Sequence, residues 1–362
     1  MKKKQIIHIV HIIPTLNFGG AERFVVDLVN NASSNFHFTI IILKNERPLE
    51  QEITRSDVRV ILVQKTGKIS LGLFHALEET LAALKADIVH THLFGGDFWG
   101  RVAAKRLGLP VVTTEHNINV DESWMQRNIK KWLKHKTDVY TASSGAIRRY
   151  MKQTYGIAMR HIRVTRFGIP LEKFSHIKPT RIRAPYELLI VGRLVKQKGH
   201  DIALRALKLS KKKRWTLEII GSGALNLSLT QLVEQLNLER QVQFAHPVYD
   251  VASVYERNQI VLVPSRWEGL GLVVMEAMAS GRLVIAARTG GIPELVTHKK
   301  TGLLFEPNDI ASLASQIEWT LQHSKEAETI AKAGRNYAMQ QFGFDKTVSE
   351  YETLYRELKN KK

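Results

Sequence analysis

The chain has 362 residues, too many for one core, so two domains of roughly 150 to 200 residues each are expected. Hydrophobic residues make up 44% with no apolar run of the ~18 to 20 residues a membrane span needs, and the absence of cysteine removes disulfides and thiolate metal sites and suits the cytoplasm. An excess of 53 Lys and Arg over 34 Asp and Glu, a net charge of +19, asks for an anionic partner; with no zinc-finger spacing, RNP-like aromatic motif or Arg-rich tail, nucleic acid is not expected to be that partner.

The N-terminus MKKKQIIHIVHIIPTL imitates a secretory leader, but His8 and His11 interrupt its apolar stretch and no small-residue cleavage site follows, so IIHIVHII reads as a first strand. A helix from about Ala21 to Asn31 follows, then FTIIIL, VRVILV, a helix near Ser70 to Lys85, DIVHTH, a helix near Arg101, and PVVTTEH. Short apolar runs alternating with amphipathic helices predict a parallel sheet with helices on both faces. IPLEKFSHIKPTRIRAP, with Pro170, Pro179 and Pro185, reads as a break. A second series then runs through YELLIVGRL, WTLEIIGSG, VQF, QIVLVPS and RLVIAAR and ends in helices, the last with Val348, Tyr351, Leu354 and Leu358 near one face. The expected domains are 1–172 and 186–344, joined by a linker at 173–185, and two such open sheets would place a ligand in the cleft between them.

Several residues at these strand ends have the chemistry of a phosphate or sugar site. In NFGGAER, Gly19 and Gly20 follow the first strand and open a helix, where backbone N–H groups suit phosphate, although a lone Gly-Gly is as often a plain tight turn. Gly221 in GSG is a weaker instance of the same turn, and neither is a P-loop, since no Gly-Lys-Ser/Thr follows. Arg193 and Lys198 in VGRLVKQKGH lie just past a strand, placed to neutralise a diphosphate without a metal ion, and no Asp-x-Asp cluster offers the metal-dependent alternative. In PSRWEGLGLVVMEAMASG, Glu268 precedes a helix that begins near Leu272, and Glu276 lies inside it. Glu268 reads as a cleft residue or as a carboxylate complementing the helix dipole. Glu276, alone in an apolar run, faces something polar, and a carboxylate is the usual grip on ribose hydroxyls. His90, His92 and His116 sit at strand ends; a lone His is more often a satisfied core or loop residue, and His116 has the position of a cleft residue.

Together these segments resemble the retaining, nucleotide-sugar-dependent glycosyltransferases of family 4, which have the two-domain GT-B fold. GGAER, DIVHTH, VVTTEHN, VGRLVKQKG, IIGSG, VPSRWEGLGLVVMEAMASG, TGGIPELV and TGLLFEPND occur in that family's order, and the two glutamates separated by seven residues are its most specific mark. The resemblance implies an α/β GT-B fold of two Rossmann-like domains facing across a cleft, with a C-terminal helix of about 345–362 crossing back to the first. It also implies that Glu276 holds the ribose, that Glu268 lies beside the transferred sugar, and that Arg193 and Lys198 stabilise the leaving diphosphate. By the same resemblance Gly19 and Gly20 lie near the diphosphate and acceptor, His116 approaches the donor sugar, and Leu270, Gly271 and Leu272 bind phosphate or sugar hydroxyls at a helix start. The implied reaction is retaining and needs neither metal nor cofactor: a hexose or N-acetylhexosamine passes from a UDP-sugar, or GDP-mannose, to a glycan or lipid-linked acceptor in cell-surface polysaccharide, lipopolysaccharide or glycolipid synthesis. Two stretches depart from the family's pattern. Phe167-Gly168-Ile169-Pro170 replaces an Asn-Gly-Ile-Asp turn, and Ala245-His246-Pro247 stands where many relatives have glycine near the base.

A sugar-nucleotide epimerase of similar architecture, a non-catalytic nucleotide-sugar binder, and a glycoside hydrolase using Glu268 and Glu276 are the competing readings. The last needs its carboxyls ~5 to 9.5 Å apart across a sugar. The segment WMQRNIKKWLKHK, residues 124–136, gathers Trp124, Met125, Ile129, Trp132 and Leu133 near one face, with Arg127, Lys130, Lys131 and Lys134 around it. Such a helix either docks on its own domain or rests on an anionic leaflet, which would make a cytoplasmic chain peripheral to the inner face of the cell membrane.

Overall fold

Runs of β-branched residues without polar alternation, such as Ile7–Ile13 and Ile260–Val263, are buried on both faces only in a parallel sheet covered by helices on either side. The computed structural model, which describes residues 6–64, 71–210 and 214–361, has this architecture twice. The first unit comprises β1 (Ile7–Ile13), α1 (Gly20–Asn31), β2 (Phe36–Ile42), β3 (Arg59–Leu62), α2 (Leu71–Ala83), β4 (Ile88–His92), α3 (Leu93–Arg106), β5 (Val111–Glu115), α4 (Trp124–Leu133), β6 (Val139–Ala142), α5 (Gly145–Tyr155) and β7 (Ile162–Val164). Its seven-stranded sheet has the order β3-β2-β1-β4-β5-β6-β7, parallel throughout. Val10, Ile12, Ile41, Val89 and Trp99 lie in the core on one of its faces. Ser70, expected to open α2, and residues 1–5 of the leader-like start lie outside the described residues.

The second unit contains α6 (Glu172–Ser175), β8 (Tyr186–Val191), α7 (His200–Lys208), β9 (Trp215–Ile220), α8 (Asn226–Gln235), β10 (Val242–Ala245), α9 (Val251–Glu256), β11 (Ile260–Val263), α10 (Leu272–Ala279), β12 (Leu283–Ala287), β13 (Leu303–Phe305), α11 (Ile310–Gln322) and α12 (Ser324–Gln341). Its six-stranded parallel sheet has the order β10-β9-β8-β11-β12-β13 around a core of Leu188, Ile190, Leu217, Ile219, Leu262 and Ile285. The last helix, α13 (Phe344–Asn360), belongs largely to the first unit, because the chain divides into Met1–Phe167 with Asp345–Lys362 and Gly168–Phe344.

Residues 173–185, expected to form a linker, fall within the second unit of this division. They are packed into that unit rather than solvated: Phe174, Ile177 and Ile182 are buried, and the backbone N–H of Ile182 and of Arg183 donate to Glu328 at 2.7 Å and Gln259 at 3.0 Å. The prolines there break regular structure without releasing the chain, because its apolar side chains gain more by burial than by exposure.

In each sheet the strand order reverses once, between β1 and β4 and between β8 and β11. Outside the carboxyl ends at such a switch point, helices depart to opposite faces and leave a crevice, the usual ligand position in open α/β sheets.

Candidate active site

In the second unit, the residues expected at the donor lie around the β8/β11 switch point. Lys198 follows β8, and its Nζ lies 2.6 Å from Glu268 Oε2, which also accepts from Ser265 Oγ at 3.1 Å. Arg193, between β8 and that lysine, is exposed. The loop carrying Glu268 is strapped to the turn carrying Lys198: the Arg266 guanidinium donates to both Asp201 carboxylate oxygens at 2.8 and 2.7 Å, the Arg266 backbone N–H donates to Gln197 O at 2.7 Å, and Gln197 Nε2 donates to Trp267 O at 3.1 Å. A bidentate guanidinium–carboxylate pair fixes both distance and angle, so the two turns move as one piece.

The turn then passes through buried Leu270 to Gly271, whose φ of 102° is closed to other residues without strain. Gly271 caps α10, and Leu272 is its first residue, so the free N–H groups of the helix start lie directly after Glu268. Helix α10 is apolar all round and therefore buried, with Val274, Met275, Ala277 and Met278 in the interior. Glu276, half-buried among them, accepts from the Tyr255 hydroxyl at 2.8 Å. Burial first, and then the adjacent carboxylate, raise the Tyr255 pKa well above its usual value, so it serves as a fixed O–H donor. Gly221 follows β9, where a Cβ would run into the Gly192 carbonyl, so the backbones leaving β8 and β9 can approach only because that side chain is absent.

In the first unit, Gly19 is the extended N-cap of α1 and exposed Gly20 its first residue. Glu22 occupies the first turn and accepts from Thr15 Oγ1 at 3.3 Å, so this helix start carries a carboxylate of its own chain. His116, directly after β5, is not a lone histidine: its Nε2 lies 2.9 Å from His92 Nδ1, and His92 Nε2 lies 2.9 Å from His11 Nδ1. His90 is bonded to Tyr355 at 2.7 Å and to Thr114 at 2.6 Å. Burial pushes His11 down to about 3, and burial with nearby Lys130 does the same to His116; His90 and His92 lie well below the usual imidazole range, chiefly through burial.

Helix α4 divides both expected sets: it buries Leu133 with Lys130 and exposes Lys131 with Trp124, Met125 and Trp132. Ser123 and Gln126 form a capping box at its start. Lys130 faces inward, its Nζ 2.8 Å from Glu115 and 3.0 Å from Glu122, while Trp124, Met125 and Trp132 are exposed. Burial opposes the ammonium, but the carboxylates of Glu115, Asp97 and Glu122 outweigh it and raise its pKa. A buried cation so held anchors the polar side of the helix, which leaves its aromatic residues outside.

Tyr255, Arg266, Asp201 and His11 were not among the residues singled out for the site. Tyr255 lies 21 positions before its partner on another helix and leaves no spacing signal. The trace of His11 in the sequence is a histidine in an apolar strand, and it joins the His90-x-His92 pair only through the register of β1 on β4.

A sequence model described as Glycosyltransferase Family 4 matches residues 18–173, and one described as Glycosyl transferases group 1 matches residues 173–337. The chain is 33% identical over 345 residues to an uncharacterized glycosyltransferase of Haemophilus influenzae, covering 93% of this chain and 96% of that protein. It is 35% identical over 301 residues to N-acetyl-alpha-D-glucosaminyl L-malate synthase of Bacillus anthracis, covering 79% and 78%. Among solved structures, HepE of Anabaena, crystallised with UDP and glucose, superposes with a TM-score of 0.85 at 23% identity over 96% of this chain and 99% of that one. The chain therefore belongs to the family 4 glycosyltransferases, with two parallel-sheet domains of the GT-B type.

Proposed function

We propose that the protein is a retaining, metal-independent glycosyltransferase that moves a hexose or N-acetylhexosamine from a UDP-sugar to a glycan or lipid-linked acceptor of cell-surface polysaccharide, lipopolysaccharide or glycolipid. The observation that carries this reading is the arrangement in the second unit: two cations and two separately held carboxylates around one switch point, next to the free N–H groups of α10. Glu276, oriented by Tyr255, grips the ribose, and Arg193 and Lys198 take the diphosphate. Glu268 and Gly221 lie beside the sugar and phosphate, with Leu270 to Leu272 supplying backbone N–H groups, while Gly19, Gly20 and His116 serve the first unit's share. UDP is favoured over GDP because HepE, of the same fold, holds UDP. The different partners of the two glutamates favour separate tasks over the paired acid and base of a hydrolase.

In the transfer, the acceptor hydroxyl attacks the anomeric carbon from the face the diphosphate leaves. The bond from that carbon to the β-phosphate oxygen breaks, the glycosidic bond forms, and the acceptor's proton passes to the departing diphosphate. The transition state has oxocarbenium character, with negative charge growing on the leaving oxygen. Lys198 shifts from Glu268 toward that charge, and Arg193 meets it from the solvent side, a stabilisation worth ~3 kcal/mol for a well-placed group, or about a hundredfold in rate.

The exposed Trp124, Met125 and Trp132, with Lys131 beside them, support peripheral attachment to an anionic membrane surface, where an apolar face can enter the interface while cations meet lipid headgroups. Purified protein incubated with UDP- and GDP-sugars should release nucleoside diphosphate, faster with a suitable acceptor, whether or not EDTA is present, and Lys198→Ala should lower the rate about a hundredfold. Free epimerised sugar, or tight binding with no turnover, would replace this reading. In a flotation assay the protein should rise with anionic vesicles at low salt, and failure to do so would remove the membrane.

A further inference from the structure

His11, His90, His92 and His116 lie on one face of the first sheet. Register places His11 beside His90 and His92 beside Thr114, and residues two apart on a strand share a face, which carries the row on to His116. Phe24 of α1 and Tyr351 and Tyr355 of α13 cover it. His11, His90 and His92 are fully buried and offer ring nitrogens within 4.8 Å of one another.

That spacing is not the spacing of a coordination shell. Two nitrogens on one zinc at ~2.0 to 2.1 Å stand ~3.3 Å apart with both lone pairs aimed at the ion. Here His11 Nδ1 and His92 Nε2 are 2.9 Å apart, as are His92 Nδ1 and His116 Nε2, each the length of an N–H···N hydrogen bond. His90 stands outside the series, its two nitrogens already bonded to Tyr355 and Thr114. The series ends at His11 Nε2 and His116 Nδ1, two buried atoms with no hydrogen-bond partner among the described residues.

A neutral imidazole has one N–H and one lone pair, so in a row of three every N–H must point the same way. Burial keeps these rings neutral, and the Lys130 ammonium near His116 opposes an added proton there. If the row pointed toward His11, an N–H would be left buried next to the Phe38 ring with nothing to accept it. Pointing the other way, the unpaired N–H falls on His116 Nδ1, which equally lacks a partner among the described residues. But His116, directly after β5 and only half-buried, is placed to meet a ligand oxygen where fully buried His11 is not, so the row points outward.

We infer that His11 and His92 are positioning residues that set the tautomer of His116, so that His116 offers Nδ1–H to an oxygen of the bound ligand as a neutral hydrogen-bond donor and not a lone pair as a base. This deepens the proposed function and rests on its placing His116 against the ligand. It agrees with a transfer in which the acceptor's proton leaves on the diphosphate, since no protein base is then required.

The test uses the full chain labelled with 15N-histidine, free of ligand at pH 7.5, and long-range 1H–15N correlations of the rings. Signals are identified with His116→Gln, His92→Phe and His11→Phe. In the unsubstituted protein, His11, His92 and His116 should each show a protonated Nδ1 and a bare Nε2. In His92→Phe, His116 should become a mixture of tautomers while His90 keeps its own pattern, and kcat/KM for cleavage of UDP-glucose should fall roughly 10- to 100-fold, the usual effect of removing an orienting partner. A protonated Nε2 on His116, or equal tautomers in the unsubstituted protein, overturns the inference. If the tautomers are as expected but His116→Gln turns over UDP-glucose normally, the row is real and its placement against the ligand is wrong. If no nucleotide sugar is cleaved at all while the tautomers stand, the proposed function is what fails.

Discussion

At the scale of single residues, the two glutamates differ in what holds them. Glu268 is paired with the Lys198 ammonium, which in the proposed reaction would exchange that carboxylate for phosphate. Glu276 is bound to the neutral hydroxyl of Tyr255, which competes for no phosphate and serves only to orient the carboxylate. Tyr255→Phe keeps the buried ring and removes that bond. A hydrogen bond to a charged group contributes about 1.5 kcal/mol or more, so KM for UDP-glucose should rise about tenfold with kcat nearly unchanged. Steady-state kinetics will decide it, and an unaltered KM would mean that Glu276 is held by its other contacts or does not touch the ribose. The glutamates were legible in the sequence because a motif of fixed spacing names both. Tyr255 was not, because nothing local relates it to a helix that begins seventeen residues later.

At the scale of elements, the layer between the first sheet and α13 is polar where a parallel sheet ordinarily buries aliphatic side chains. His90 meets the Tyr355 hydroxyl, and Tyr351 meets Thr141 at 2.9 Å and Thr114 at 3.2 Å. These bonds fix the register of α13 on the sheet, since a slide of the helix would strand buried polar groups. The buried histidines of this layer also make stability depend on pH. His11 has a folded pKa of about 3 against about 6.5 unfolded, so below pH 6.5 the unfolded chain binds the proton that the native one refuses. Stability is therefore complete above pH 6.5 and falls as pH drops toward 3, by about 2 kcal/mol at pH 5 for such a histidine. Urea midpoints should fall between pH 7 and pH 5, and more gently in His11→Phe. Parallel falls in the two proteins would show that His11 titrates at its ordinary value. Helix α4 shows a different limit of sequence reading. Its 3.6-residue pattern identifies an amphipathic helix, but the inward face is shared between the apolar Leu133 and Lys130 held by Glu115 and Glu122, a pairing that the pattern does not show.

At the scale of the whole molecule, α13 makes the first unit discontinuous in sequence. It buries Val348, Tyr351, Leu354, Tyr355 and Leu358 there. Burial of each such side chain contributes roughly 1.5 to 3 kcal/mol, and five of them rival the ~5 to 15 kcal/mol that stabilises a whole domain. A chain ending at Gly343 should thus lose amide-exchange protection across the first unit and keep it across the second, as hydrogen exchange with peptide resolution would report. Retained protection in both would show that the first unit folds without its last helix. From the sequence alone came the fold class, the two-domain count and the family, with the glutamate motif and the basic pair as candidates for the donor site. Each of these is written in local patterns: apolar periodicity, glycine turns and fixed spacings within one strand–turn–helix unit. Only the tertiary structure decided that residues 173–185 pack into the second unit, that Tyr255 orients Glu276, that Lys130 points inward, and that three histidines from three strands form one hydrogen-bonded row. Those depend on which distant segments the sheet order and register bring within about 3 Å, and no local pattern in a sequence encodes that distance.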